Sequence, residues 1–210
     1  MLFCQRNPKP CPLLYVLEAG DYLLSNDIDI RTDIPKYRIY ENGVLIDEVY
    51  DIKEHWRDDF VSFIIGCSFS FEEALLRAGL RIKHIEDEKI VPMYKTSISC
   101  ISAGQFHGEM IVSMRPFKPI DAIKAVEITS RYPRVHGSPV HIGNPLDIGI
   151  TDINKPDYGE TVDIADGEVP VFWACGVTPQ SVVMSSKPSI CITHAPGHML
   201  VLDDLNESLS

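Results

Sequence analysis

The apolar run in VSFIIGCSFSFEEALLRAGL (residues 61–80) breaks at Gly66-Cys67-Ser68 and resumes with a helical period. Three readings are open at such a junction. A thiol at the start of a helix lies beside the positive end of the helix dipole, which lowers its pKa and favours the nucleophilic thiolate. The free N–H groups of a first helical turn bind anions, carboxylates included. In the third reading Cys67 is simply a small residue that closes a buried strand. Gly66 permits a sharp turn or a close backbone approach, and Ser70 with Glu73 fits a capping box. The pattern is not G-x-S-x-G, so a nucleophile elbow has little support. Cys175, in FWACGVTPQ, ends a second apolar run at Gly176 and is open to the same readings. Cys191, His194 and His198 bring three ligands of zinc type close together. Pro196-Gly197 puts a turn between the two histidines, so they cannot share a helix face as in H-E-x-x-H. The expectation is therefore no metal, and a Pro-Gly loop at a strand end with one histidine lining a cleft.

The elements that must position these groups follow from punctuation and period. Residues 1–12 read as a Pro-punctuated extended segment. Asn42-Gly43, between KYRIY and VLIDEVY, predicts a hairpin. Residues 51–60 predict a polar helix with Ile52, Trp56 and Phe60 on one face. A strand over 61–65 then leads into a helix over about 71–78, closed by Gly79. YKTSISC (94–100) and GEMIVSMRPF (108–117) read as strands. Residues 119–132 read as a helix with Pro119 in its first turn and an apolar stripe of Ile120, Ile123, Val126 and Ile128. HGSPVHIG (136–143) reads as a strand, 144–168 as a Pro/Gly/Asp-rich loop region, and VPVFWACG (169–176) and SICITHA (189–195) as two further strands, with SVVMSS between them. Strands alternating with helices predict an α/β fold. The expected form is a larger α/β sandwich body made from 1–91 and 147–210, with a smaller two-layer β-β-α-β module, 92–146, inserted. The ligand cleft is expected between the two parts.

Composition narrows the function. Nineteen Lys+Arg against thirty Asp+Glu give a net charge of −11, which argues against a non-specific nucleic-acid binder. No stretch offers the roughly 18 consecutive apolar residues of a membrane span. Pro8, Pro10 and Pro12 break any signal-peptide pattern. Six cysteines without a C-x-x-C, and no secretory signal, predict reduced thiols in a cytoplasmic protein.

The strings CQRNPKPCPLL, FIIGCSFSFEEALLRAG, YKTSISC, VSMRPF, HGSPVHIG, GEVPVFWACGVTPQ and THAPGHMLVLDDL occur in this order and together resemble the D-glutamate cyclase family, whose members have long been labelled hydro-lyases. The likeness covers nearly the whole chain. Members of that family usually carry several dozen residues ahead of the CQRNPKPCPLL motif, which begins here at Cys4, so the chain reads as an N-terminally short member. The resemblance implies an α/β fold in two parts, no metal or organic cofactor, and interconversion of D-glutamate with 5-oxo-D-proline and water. The expected partner is a small-molecule carboxylate or amino acid, with no nucleic acid and no membrane; a homo-oligomer is left open.

That chemistry needs a base near the amine, an acid near the departing oxygen, donors for the tetrahedral oxyanion and a clamp for the α-carboxylate. Lys95 stands between the hydroxyls of Tyr94 and Thr96, and strand alternation lets only Lys95 or the Tyr94/Thr96 pair face one cleft. Arg115 offers a bidentate carboxylate clamp. His136 and His141 are the general-base candidates. Their spacing puts them on opposite sides of a regular strand, and His141, next to Gly143-Asn144, is preferred. Gly66, Cys67 and Ser68 are assigned to substrate binding as an anion hole, and His194 to the lining of the cleft. Two other classes remain. One is an acyl-transfer or amidase enzyme with Cys67 or Cys175 as nucleophile. The other is a non-catalytic carboxylate-binding protein.

Overall fold

The computed structural model describes residues 1–25 and 27–209. In chain order, its first half contains α1 (Leu2–Arg6), β1 (Leu13–Leu17), β2 (Tyr37–Glu41), β3 (Val44–Val49), β4 (Ser62–Ile65), α2 (Phe69–Arg77) and α3 (Lys83–Glu86). The second half contains β5 (Met93–Ser99), β6 (Glu109–Phe117), α4 (Pro119–Thr129), β7 (His141–Ile142), β8 (Val169–Ala174), α5 (Val177–Ser186) and β9 (Cys191–His194). The fold is α/β, and its strands form antiparallel sheets of order β1-β4, β3-β2-β9 and β5-β6-β8-β7.

The four-stranded sheet positions the rest. Strand alternation puts Ser113, Arg115 and Phe117 with Val171 and Trp173 on one face, and Val112, Met114 and Phe172 on the other. The first face packs on α2 and α4, where Phe71, Leu75, Ala122 and Ala125 join Phe117, Val171 and Trp173 in one core. The second face is covered by Ile148, Ile150 and Val162 from the 144–168 segment. Trp173 Nε1 donates to Thr129 Oγ1 at 3.1 Å, so the buried indole is satisfied. Strand β8 enters from beyond residue 146 and lies between β6 and β7. The apolar, largely buried β6 would otherwise leave an open edge there.

Local chemistry succeeds where turns decide the outcome. Asn42 (φ 50°) and Gly43 (φ 78°) supply the two positive φ angles of a tight hairpin turn between β2 and β3. Gly79 (φ 79°) follows α2. Elsewhere tertiary packing overrides pattern. The expected helix over 51–60 is only a 3₁₀ turn, Lys53–His55. Trp56, which ends that turn, packs edge-on against Tyr22 and Phe60 and donates to the Gly20 carbonyl, so partners far along the chain help to hold it. Residues 2–6 are helical rather than extended. Helix α4 buries Ala122, Ala125 and Thr129, leaving Ile120 and Ile123 exposed, because small side chains let it approach the sheet. The expected strand over 136–143 shrinks to His141–Ile142. Helix α5, with Pro179 in its first turn, replaces the unassigned stretch between the last two expected strands. Among the described residues, no helix is long and apolar enough to cross a membrane.

Candidate functional site

Strand β4 delivers the chain to Gly66, whose N–H donates to the Pro12 carbonyl at 2.9 Å. A Cβ at Gly66 would lie 2.1 Å from the Arg134 carbonyl oxygen, so the glycine is required by the close approach of another backbone. Ser68 is the N-cap of α2, but its Oγ accepts from Arg115 Nη2 at 3.1 Å instead of capping the helix. The expected Ser70/Glu73 box is therefore not formed. Ser70 lies inside the helix, and Glu73 pairs with Arg77 and accepts from Asn206 Nδ2.

Beneath the turn lies a buried ion cluster. Arg115 is completely buried; its Nε donates to Glu72 Oε1 at 2.8 Å, its Nη1 to Ser113 Oγ at 3.0 Å, and its Nη2 to Glu72 as well as to Ser68. His84 Nε2 stands 3.3 Å from the same Glu72 oxygen. Burial alone would raise the Glu72 carboxyl, but the Arg115 guanidinium and His84 hold it below the usual carboxylate value. The rings of Phe71 and Trp173 lie 5.3 and 5.4 Å from the guanidinium carbon. The expected carboxylate clamp, Arg115, is thus a fully buried guanidinium whose Nε, Nη1 and Nη2 already donate to Glu72, Ser113 and Ser68, which ties Ser68 and the start of α2 to β6.

A second junction of the same build meets the first. Strand β8 ends at Ala174, Gly176 is the N-cap of α5, and the Thr178 N–H donates to the Cys175 carbonyl at 3.0 Å, as the Ser70 N–H does to Cys67 at 3.1 Å. A Cβ on Gly176 would lie 3.9 Å from the Gly66 carbonyl oxygen and 4.0 Å from His136 Nε2. The two helix N-termini and His136 thus share one spot. His136 is 1% exposed and holds a left-handed φ of 82°, an uncommon conformation for a non-glycine residue. Its Nδ1 lies 2.8 Å from the Lys9 carbonyl, which can only accept, so Nδ1 carries the proton and Nε2 is the free lone pair. Among the described residues, Nε2 is the only buried side-chain nitrogen or oxygen without a hydrogen-bond partner. Burial pushes the imidazole down to about 4; the Lys9 and Gly66 carbonyls oppose this, and the Arg115 and Lys9 cations add to it.

Both junction cysteines are held as thiols. Burial raises Cys67 despite the N–H groups of Phe69 and Ser68, and pushes Cys175 up to about 12 despite those of Val177 and Gly176. The Cys175 thiol lies 3.5 Å from Met93 Sδ within an apolar cluster. Lys9 reaches Ser138 Oγ at 3.3 Å, and burial lowers its pKa.

Of the residues singled out in the sequence, Gly66, Cys67, Ser68, Arg115 and His136 come together. His141 does not join them. It faces Phe172, 5.7 Å between ring centres on the other side of the sheet, with Nε2 2.8 Å from the Asn144 carbonyl. Lys95 is exposed near Asp157, Tyr94 donates to the Ile153 carbonyl and Thr96 to the Met110 carbonyl. His194 sits on β9 in a different sheet, its Nδ1 2.8 Å from the Ala195 carbonyl. Among the described residues, no three His, Cys, Asp or Glu side chains are grouped to hold a metal ion. Lys9, Glu72 and His84 were not singled out, and Gly176 was noted only as the end of an apolar run. The detectable signal was the repeated placement of a cysteine at a strand end beside a glycine.

Residues 61–203, which contain both junctions and His136, match the family model described as D-glutamate cyclase. A protein of Verminephrobacter eiseniae named "Putative hydro-lyase" is 61% identical over 212 residues, an alignment spanning 100% of this chain and 77% of that one. "Putative hydro-lyase YcsI" of Bacillus subtilis is 60% identical over 213 residues, spanning 100% of this chain and 83% of that protein. A Bordetella petrii protein, "Putative hydro-lyase Bpet2233", is 61% identical over 211 residues, spanning 99% and 80%.

Proposed function

The chain belongs to the D-glutamate cyclase family, and on that premise we propose that it is a hydro-lyase that interconverts D-glutamate with 5-oxo-D-proline and water where the β4–α2 and β8–α5 junctions meet. In the forward direction the amine nitrogen bonds to the γ-carboxyl carbon. Two amine protons and one carboxylate oxygen leave together as water. His136 Nε2 carries the two protons in turn, accepting each from the nitrogen and passing it to the same carboxylate oxygen, which becomes a hydroxyl with the first and leaves as water with the second, while Nδ1–H stays on the Lys9 carbonyl. The N–H groups at the start of α2 stabilise the oxyanion of the tetrahedral intermediate. The same cations that depress the imidazole are offset by a bound carboxylate, which moves His136 back towards a useful basicity.

The observation that carries this reading is the buried, unpartnered Nε2 of His136 at the meeting of two helix N-termini. The protonated state of Cys67 and Cys175 favours it over an acyl-enzyme route. The six free thiols support a reducing, cytoplasmic setting. Incubation of the full chain with D- and L-glutamate and with both 5-oxoprolines, followed by chiral chromatography, tests the proposal. Interconversion confined to the D pair, and abolished in His136→Asn, is expected. Absence of turnover with either pair overturns it.

A further inference from the structure

We infer that the β8–α5 junction, Cys175-Gly176-Val177, is a second anion subsite facing the β4–α2 turn, so that one dicarboxylate spans the two with Gly176 supplying the room. This rests on the site above being the reaction centre. The two junctions share a construction although their helices follow strands of different sheets. In each, a cysteine ends an apolar strand segment, its carbonyl accepts from the N–H three residues on, and a helix of 9 or 10 residues begins. Each therefore leaves its first N–H groups without an intrahelical acceptor. Two positive dipole ends brought together repel unless an anion lies between them. The Lys9 ammonium nearby adds to that demand, whereas the Arg115 charge is already met by Glu72. The unpartnered His136 Nε2, buried between the junctions, marks the spot as one awaiting a hydrogen-bonding ligand.

Gly176 carries the rest of the inference, by contrast with Gly66. Its φ is −63°, an ordinary helical value that any residue adopts. Its missing Cβ would meet nothing closer than 3.9 Å. Neither backbone nor packing demands a glycine there, whereas at Gly66 the neighbouring carbonyl plainly does. What an added methyl would occupy is the space beside Nε2, where a ligand's second carboxylate sits. The neighbouring Cys67, Gly176 and Val177 are only partly buried and give that space a way to solvent.

Calorimetry on the full chain with glutarate, a dicarboxylate that has no amine and cannot cyclise, and with butyrate, its monocarboxylate counterpart, tests this. Wild type should bind glutarate about tenfold or more tightly than butyrate, and Gly176→Ala should lose about tenfold or more of glutarate affinity with Tm unchanged. Glutarate should also shift the ¹⁵N resonance of His136 Nε2, a readout that needs no variant. Equal affinity for the two acids, no glutarate binding, wild-type affinity in Gly176→Ala, or an unmoved His136 resonance at saturation would each overturn the subsite. Turnover is not involved, so Gly176-dependent glutarate binding without conversion of D-glutamate would sink the reaction and leave the subsite standing.

Discussion

Acid should destabilise this protein through one residue in particular. The His136 imidazole falls from its ordinary 6.5 to about 4 in the fold, chiefly because burial disfavours the imidazolium. Between those two values the unfolded chain takes up a proton that the folded chain refuses. Stability therefore rises with pH across the window. The contribution of His136 is complete above about pH 6.5 and is lost progressively as pH falls towards 4. The full difference corresponds to about 3 kcal/mol, of which about 2 kcal/mol is lost between pH 7 and pH 4.5. That is a large part of a typical folding free energy of roughly 5–15 kcal/mol. The perturbation is His136→Asn. Asparagine tolerates a left-handed φ, and its amide can donate to the Lys9 carbonyl, while the titrating ring is gone. Urea denaturation of both proteins at the two pH values gives the loss in each. Other acid-sensitive groups, such as the half-buried His194, cancel in the difference. Wild type should lose about 2 kcal/mol more than the variant on acidification. Parallel losses would show that His136 is not held neutral by its surroundings, and the argument for a poised Nε2 would fail with it.

Further substitutions separate the parts of the site. Glu72→Ala leaves Arg115 buried without its counterion and should cost about 3–5 kcal/mol by denaturation; a loss below about 1 kcal/mol would mean that Arg115 is solvated. Gly66→Ala should fail to give folded protein by circular dichroism, because the new Cβ meets the Arg134 carbonyl at 2.1 Å; a variant with wild-type Tm would contradict that approach. Cys67→Ser should retain most turnover, and trapping of a thioester at Cys67, or loss of about 3 kcal/mol of transition-state stabilisation in a folded variant, would restore the acyl-enzyme alternative. His141→Ala should leave kcat within about tenfold of wild type, since the ring lies against Phe172 away from both junctions; a larger loss would return the base to His141.

The sequence by itself determined what short-range chemistry can determine. Asn42-Gly43 made its hairpin, Gly79 followed its helix, and the strand–Gly66-Cys67-Ser68–helix junction formed where turn and period placed it. The order of motifs was enough to reveal the family. Tertiary structure decided the rest, because the deciding partners are far apart along the chain. His136 rather than His141 reached the junctions because it caps a 3₁₀ turn with a left-handed φ where the expected strand was to begin, and its ring found the Lys9 carbonyl 127 positions away. Arg115 looked like a free clamp until the fold set Glu72, 43 residues distant, against it in the interior. The strand end at Cys175-Gly176 was legible, but the helix after it was not, because it begins in Gly-Val-Thr-Pro with no apolar stripe to announce it. Periodicity reports which face of an element is buried; only sheet order decides which buried faces meet, and a site made where two junctions converge exists only after that choice.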